Sequence, residues 1–214
     1  MEKMILINFK NYKVGQKEVM DLVKKIEIYY RKAIIAVPFI ELTNVIKNTS
    51  LQVYAQHVDY QESGRGTGYV TPESLIASGA TGSLLNHSEH RIPLKIIKKI
   101  IKRCNEIGLK LIICSSSLRE IRQLKKLNPY AIAFEDRKLI ATGKSITSYN
   151  AHNVKKFAEI LKNTEIFALC GAGISSGKDV SQTFVLGCKG VLVSSAVANS
   201  QNPETFLKEV ASLF

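Results

Sequence analysis

The chain has 214 residues, 45% of them hydrophobic, and carries 30 Lys and Arg against 18 Asp and Glu, a formal charge of +12. That length buries one sizeable core and leaves too little for a second domain of ordinary size, so one domain over residues 1–214 is expected. No run of about 18 apolar residues offers a membrane span, and Met1-Glu2-Lys3 lacks the apolar region of a secretory leader, so a cytoplasmic protein without a membrane partner is expected.

The first apolar run, near residues 4–8, ends in Asn8-Phe9-Lys10, and a helical pattern follows near 16–31. Strands near 33–37 and 51–57 precede helices near 40–48 and 72–78, the second of these with Thr71-Pro72 placing proline at the first helical position. A fourth strand near 81–85 runs abruptly into Asn86-His87-Ser88-Glu89, ahead of a helix near 92–107. The fifth unit pairs a strand near 109–114 with a helix near 117–127 that Ser116 or Ser117 would cap. The sixth strand, near 130–134, meets Glu135, and a helix follows near 150–162. The last two units are a strand near 165–170 with a helix near 176–186, and a strand near 189–193 with a helix near 203–213 opened by Asn202-Pro203-Glu204.

Short runs rich in Ile, Val and Leu alternating with helical periodicity are the pattern of βα units around a buried parallel sheet. Eight such units close into a (β/α)8 barrel, an α/β fold usually of about 250 residues with a lower end near 200. A doubly wound open sheet is the competing architecture, but it would normally carry a glycine-rich nucleotide-binding turn after the first strand, and Asn8-Phe9-Lys10-Asn11 has no glycine.

The surplus of lysine falls mainly within the helices, as in Lys95, Lys98, Lys99 and Lys102, where a solvated outer face is the ordinary reading. No specific nucleic-acid partner is therefore expected, although the charge helps draw in an anionic substrate. Cys104, Cys114, Cys170 and Cys188 are widely separated with no C-x-x-C pair, so neither a disulfide framework nor a zinc site is expected. In a barrel the active groups lie at the carboxyl ends of the strands. Asn8, Lys10, His87 and Glu135 fall there, which makes a base, an electrophile and a cation available at one end.

Asn8-Phe9-Lys10, Gly64-Arg65-Gly66-Thr67-Gly68, Leu84-Leu85-Asn86-His87-Ser88-Glu89, Ile113-Cys114, Glu135 with Leu139-Ile140-Ala141-Thr142-Gly143, and Cys170-Gly171-Ala172-Gly173-Ile174 together resemble the triosephosphate isomerase family in its shorter archaeal form. Six fragments in order, at appropriate strand ends, cover nearly the whole chain. The resemblance implies interconversion of dihydroxyacetone phosphate and D-glyceraldehyde 3-phosphate, in glycolysis and gluconeogenesis, without metal or organic cofactor. By the resemblance Glu135 moves the proton, while His87 and Lys10 stabilise the charge that develops on oxygen. Asn8 orients the substrate, Glu89 holds Lys10, and the amides of Gly143, Gly173, Ser194 and Ser195 hold the phosphate, with a short extra helix from about Ser195 to Asn199. Thr67 on the third loop would meet a neighbouring subunit in a homodimer or homotetramer. Asp136-Arg137 stand where the family usually has two prolines after the glutamate, and Ala141 and Ala196 where it usually has glycine. These departures leave open a catalytically reduced barrel that binds a phosphorylated metabolite, or through its charge nucleic acid, without turning anything over.

Overall fold

The computed structural model describes residues 3–13, 15–136 and 145–214. Eight strands run as β1 (Met4–Asn8), β2 (Ile34–Val37), β3 (Gln52–Ala55), β4 (Gly82–Leu85), β5 (Lys110–Ser115), β6 (Ala131–Glu135), β7 (Phe167–Gly171) and β8 (Gly190–Val193). They close into a barrel in chain order, with each neighbouring pair parallel, as the eight-unit pattern predicts.

The helices are α1 (Gln16–Tyr29), α2 (Phe39–Lys47), α3 (Pro72–Ala77), α4 (Leu94–Ile107), α5 (Leu118–Lys125), α6 (Ile146–Tyr149), α7 (Ala151–Leu161), α8 (Gly177–Val185), α9 (Ser195–Ala198) and α10 (Pro203–Ala211). Their starts follow from capping chemistry. Thr71 accepts from the Ser74 amide at 3.2 Å, with Pro72 next to it, and Ser117, not Ser116, accepts from the Glu120 amide at 3.2 Å. The short helix expected after the eighth strand is α9. The pattern does not predict α6, a single turn capped by Ser145 and separated from α7 by Asn150, whose φ of −138° interrupts the helix. The Asn150 amide group donates to Asp136 Oδ2 at 2.8 Å, which ties that break to the end of β6.

Strand parity sorts the core into two layers. Ile5, Ile7, Ile132 and Phe134 pack outward against the helices. Met4, Leu6, Ala131, Ala133, Ile112, Cys114, Leu169 and Leu192 fill the barrel interior. Two glycines make that interior possible. A Cβ on Gly82 would lie 2.4 Å from the Tyr54 ring, and one on Gly190 would lie 2.2 Å from the Met4 carbonyl oxygen. Outside, α4 buries Ile97, Ile100, Ile101 and Cys104, while Lys95, Lys98, Lys99 and Lys102 are exposed. The lysine-rich stretch is thus a solvated outer face. All four cysteines are buried free thiols.

Candidate active site

The inward series of β1, Met4 then Leu6, continues to Asn8, and that of β6, Ala131 then Ala133, continues to Glu135. The same alternation that fills the barrel with apolar side chains therefore delivers a polar one at the carboxyl end of each strand. His87 breaks this parity, because Leu84 is the inward residue of β4. Asn86 supplies the correction: at φ 60° it is in the left-handed region, which asparagine tolerates better than most residues, and the turn swings His87 to the pocket.

The pocket at this end of the barrel is lined by Asn8, Lys10, Tyr12, His87, Glu135, Gly173, Ser194 and Ser195, among others. Glu135 Oε1 lies 3.4 Å from His87 Nε2. On the other side of the ring, His87 Nδ1 accepts from the Glu89 amide at 3.2 Å. A neutral imidazole that accepts at Nδ1 carries its proton on Nε2, so the donor faces the pocket. Lys10 also sits in the left-handed region, at φ 46°. A strained residue of this kind persists only where its surroundings over-determine it. Here the Lys10 amide donates to Asn8 Oδ1 at 3.0 Å, the Lys10 carbonyl accepts from Gln56 Nε2 at 3.0 Å, and Lys10 Nζ reaches Glu89 Oε1 at 2.6 Å.

Behind the carboxylate, Gly171 is the residue that leaves it room, since a Cβ there would come within 2.9 Å of Glu135 Cγ. The Cys114 thiol sits on another side of it. Burial pushes that thiol well above the usual range, and the adjacent Glu135 pushes it further. It is therefore a neutral packing group, not a nucleophile.

Beyond β7, Ala172 and Gly173 take successive left-handed conformations, φ 76° and 70°. Beyond β8, Ser194 precedes α9, and its hydroxyl donates to the Asn8 carbonyl oxygen at 2.7 Å, joining the last strand to the first at the floor of the site. Of the residues expected from sequence, Asn8, Lys10, His87, Glu135, Gly173, Ser194 and Ser195 come together on the pocket, and Glu89 contacts both Lys10 and His87. Gly143, Ala141 and Arg137 lie outside the described residues. Thr67 is exposed, on the loop between β3 and α3.

Gln56 is a site residue that the pattern does not reveal. Its side chain donates to Asn8 Oδ1 at 3.2 Å as well as to Lys10. Its signal is present all the same: the apolar run Val53-Tyr54-Ala55 stops at a polar residue, the same form as the other strand ends, but a strand drawn through residue 57 hides it. Tyr12 is the second such residue, its ring 5.8 Å from Lys10 Nζ.

A family profile described as Triosephosphate isomerase matches residues 3–212. The chain is also similar to three archaeal proteins named triosephosphate isomerase. It is 34% identical to that of Methanocaldococcus jannaschii, over 97% of this chain and 98% of the relative. It is 35% identical to that of Methanopyrus kandleri, over 97% and 96%. It is 36% identical to that of Sulfurisphaera tokodaii, over 96% and 92%.

Proposed function

The chain belongs to the triosephosphate isomerase family, and from that membership we infer that its pocket interconverts dihydroxyacetone phosphate and D-glyceraldehyde 3-phosphate through an enediolate. The observation that carries the assignment to these residues is the single pocket holding Glu135, His87 and Lys10, with carboxylate and imidazole 3.4 Å apart. A glutamate base beside a neutral histidine electrophile is the known pattern of this family and is taken over from it.

Glu135 takes a proton from one carbon and returns it to the next. The oxygen between them becomes negative as this happens, and fixed donors are worth most where charge develops. His87 Nε2–H and the Lys10 ammonium supply a hydrogen bond and a positive charge there, and Asn8 orients the substrate. Glu89 holds Lys10 by their ion pair. The phosphate is gripped remotely from the reacting carbons by the amides of Gly173, Ser194, Ser195 and Gly143, which positions the substrate without adding bulk. The chemistry draws on no metal or organic cofactor. A barrel that only binds a phosphorylated metabolite, which the departures at Asp136-Arg137, Ala141 and Ala196 leave open, is not favoured, because Glu135, His87 and Lys10 line one pocket.

A coupled assay of D-glyceraldehyde 3-phosphate isomerisation with the purified protein tests this function; folded protein without turnover would overturn it. Lys10→Met is expected to lower kcat/KM by about 10²-fold, the scale of one lost electrostatic stabiliser. Activity within about twofold of wild type in that variant would remove Lys10 from the mechanism.

Self-association as a homodimer, or as a tetramer of two such pairs, belongs to the same proposal, as does a cytoplasmic location without a specific nucleic-acid partner. Exposed Tyr12, Phe39, Tyr60 and Tyr69, together with the exposed loop that carries Thr67, support a subunit contact near the mouth of the pocket. Among the described residues no helix is long and apolar enough to cross a membrane. Thr67→Arg is expected to shift the mass measured by light scattering after gel filtration to that of the monomer. An unchanged mass would place the contact elsewhere.

A further inference from the structure

Beside the carboxyl ends of β4 and β5 lies a second, half-buried carboxylate that the mechanism above does not use. Glu120 lies in the first turn of α5, and both its oxygens are occupied. Oε1 accepts from Asn86 Nδ2 at 3.2 Å and pairs with Arg91 Nη2; Oε2 accepts from the Ser115 hydroxyl at 2.9 Å and the Ser116 amide at 3.1 Å. Arg91 extends the network through Nη1 to the carbonyl oxygens of Asn86, at 3.2 Å, and Cys114, at 3.4 Å. Asn86 closes it, donating to the Cys114 carbonyl oxygen at 2.9 Å and accepting from the Ile92 amide at 3.1 Å. Burial alone would raise the Glu120 carboxyl, but the hydrogen bonds from Ser115 and Ser116 and the Arg91 guanidinium hold it below the usual range.

An ordinary helix cap does not explain this arrangement. Ser117-Leu118-Arg119-Glu120 has the form of a capping box, in which the glutamate reaches back to the amide of the capping serine. Glu120 instead reaches past Ser117 to Ser116 and Ser115, and across to Asn86, the residue after β4. The network it anchors holds two residues that matter to the chemistry, the Asn86 side chain directly and the Cys114 carbonyl oxygen through Asn86 and Arg91. One is Asn86, whose left-handed conformation turns His87 to the pocket; the other is Cys114, whose thiol lies against Glu135.

Resting on the isomerase function above, we propose that Glu120, with Arg91, is a positioning residue for proton transfer, setting His87 relative to Glu135 through Asn86 and Cys114. It touches no substrate. Its loss changes the alignment of two reacting groups and leaves the phosphate grip, on β7 and β8, alone.

The test compares wild type with Glu120→Gln, Arg91→Lys and Ser117→Ala. Four quantities are measured: kcat, KM, inhibition by inorganic phosphate, and the nitrogen NMR signals of the His87 imidazole. Glu120→Gln is expected to lower kcat by about tenfold to a hundredfold, the scale of a misplacement of about 1 Å, and to shift the His87 signals. KM and phosphate inhibition stay within about twofold. Ser117→Ala removes only the cap, so its melting temperature falls while kcat holds. Arg91→Lys gives an intermediate loss of kcat, because a single ammonium cannot serve the carboxylate and both carbonyls at once; should Glu120→Gln fail to fold, this variant decides the matter on the same readouts. Unchanged kcat and His87 signals in the glutamate or arginine variant, or phosphate inhibition lost in step with kcat, would overturn the proposal. If wild-type protein binds phosphate without turnover, the isomerase function fails, and the His87 signals still report whether Glu120 sets that ring.

Discussion

Glu135→Gln is expected to lower kcat by about 10³-fold, within the range that general acid–base groups contribute and equivalent to about 4 kcal/mol of transition-state stabilisation. The substitution is close to isosteric, so the side chain keeps its packing over Gly171, where no Cβ is tolerated, and against Cys114. An amide cannot accept a proton from carbon. Its position beside His87 Nε2, 3.4 Å away in the wild type, is retained in outline. Inhibition by inorganic phosphate should therefore stay within about twofold while turnover disappears. Equal losses of turnover and phosphate affinity would show instead that Glu135 supports the structure of the pocket.

Gly190→Ala carries the largest expected effect on stability, a loss beyond about 4 kcal/mol or failure to accumulate as folded protein. Gly190 is where β8 meets both neighbours, paired with Met4 on β1 and Leu169 on β7. An added Cβ would lie 2.2 Å from the Met4 carbonyl oxygen, 2.7 Å from Leu169 Cδ2 and 2.9 Å from Met4 Cβ. A flexible side chain could move away from such a contact; a carbonyl oxygen already held in the sheet has no such freedom. The comparison that isolates this steric cause is Gly108→Ala. Gly108 ends α4 at φ 78° with open space around its Cα, so alanine there costs only the conformational penalty of about 1–2 kcal/mol. Urea unfolding of the two variants should give that order. Similar midpoints would mean that the barrel adjusts to a side chain at its closing strand.

Parity explains why so much of this molecule is legible in the sequence. Met4, Leu6 and Asn8, or Ala131, Ala133 and Glu135, each form one inward row, so the alternation that identifies the strand also points its last member at the pocket. His87 escapes that logic. Its placement depends on one left-handed residue, Asn86, and on the hydrogen bonds that Asn86 donates to Glu120 and accepts from Arg91, which leave no periodic trace. The turn α6 is hidden for a different reason: four residues are too few for helical periodicity to register, and what delimits it is a contact between Asn150 and Asp136, fourteen positions apart. Local chemistry thus encodes the elements and the row of polar tips, while contacts between distant residues encode their final aim.

The hydroxyl of Ser194 that meets the Asn8 carbonyl oxygen spans 186 positions of chain. Closing so long a separation is entropically expensive and belongs to the slow class of folding events. During synthesis, every strand from β1 to β7 can emerge and pair with its predecessor while the pocket still lacks one wall. The pocket is therefore tied to the final seam of the barrel: a chain that has not yet released residue 194 is expected to hold Glu135 and His87 on an open sheet, with the wall that Ser194 and Ser195 supply still missing.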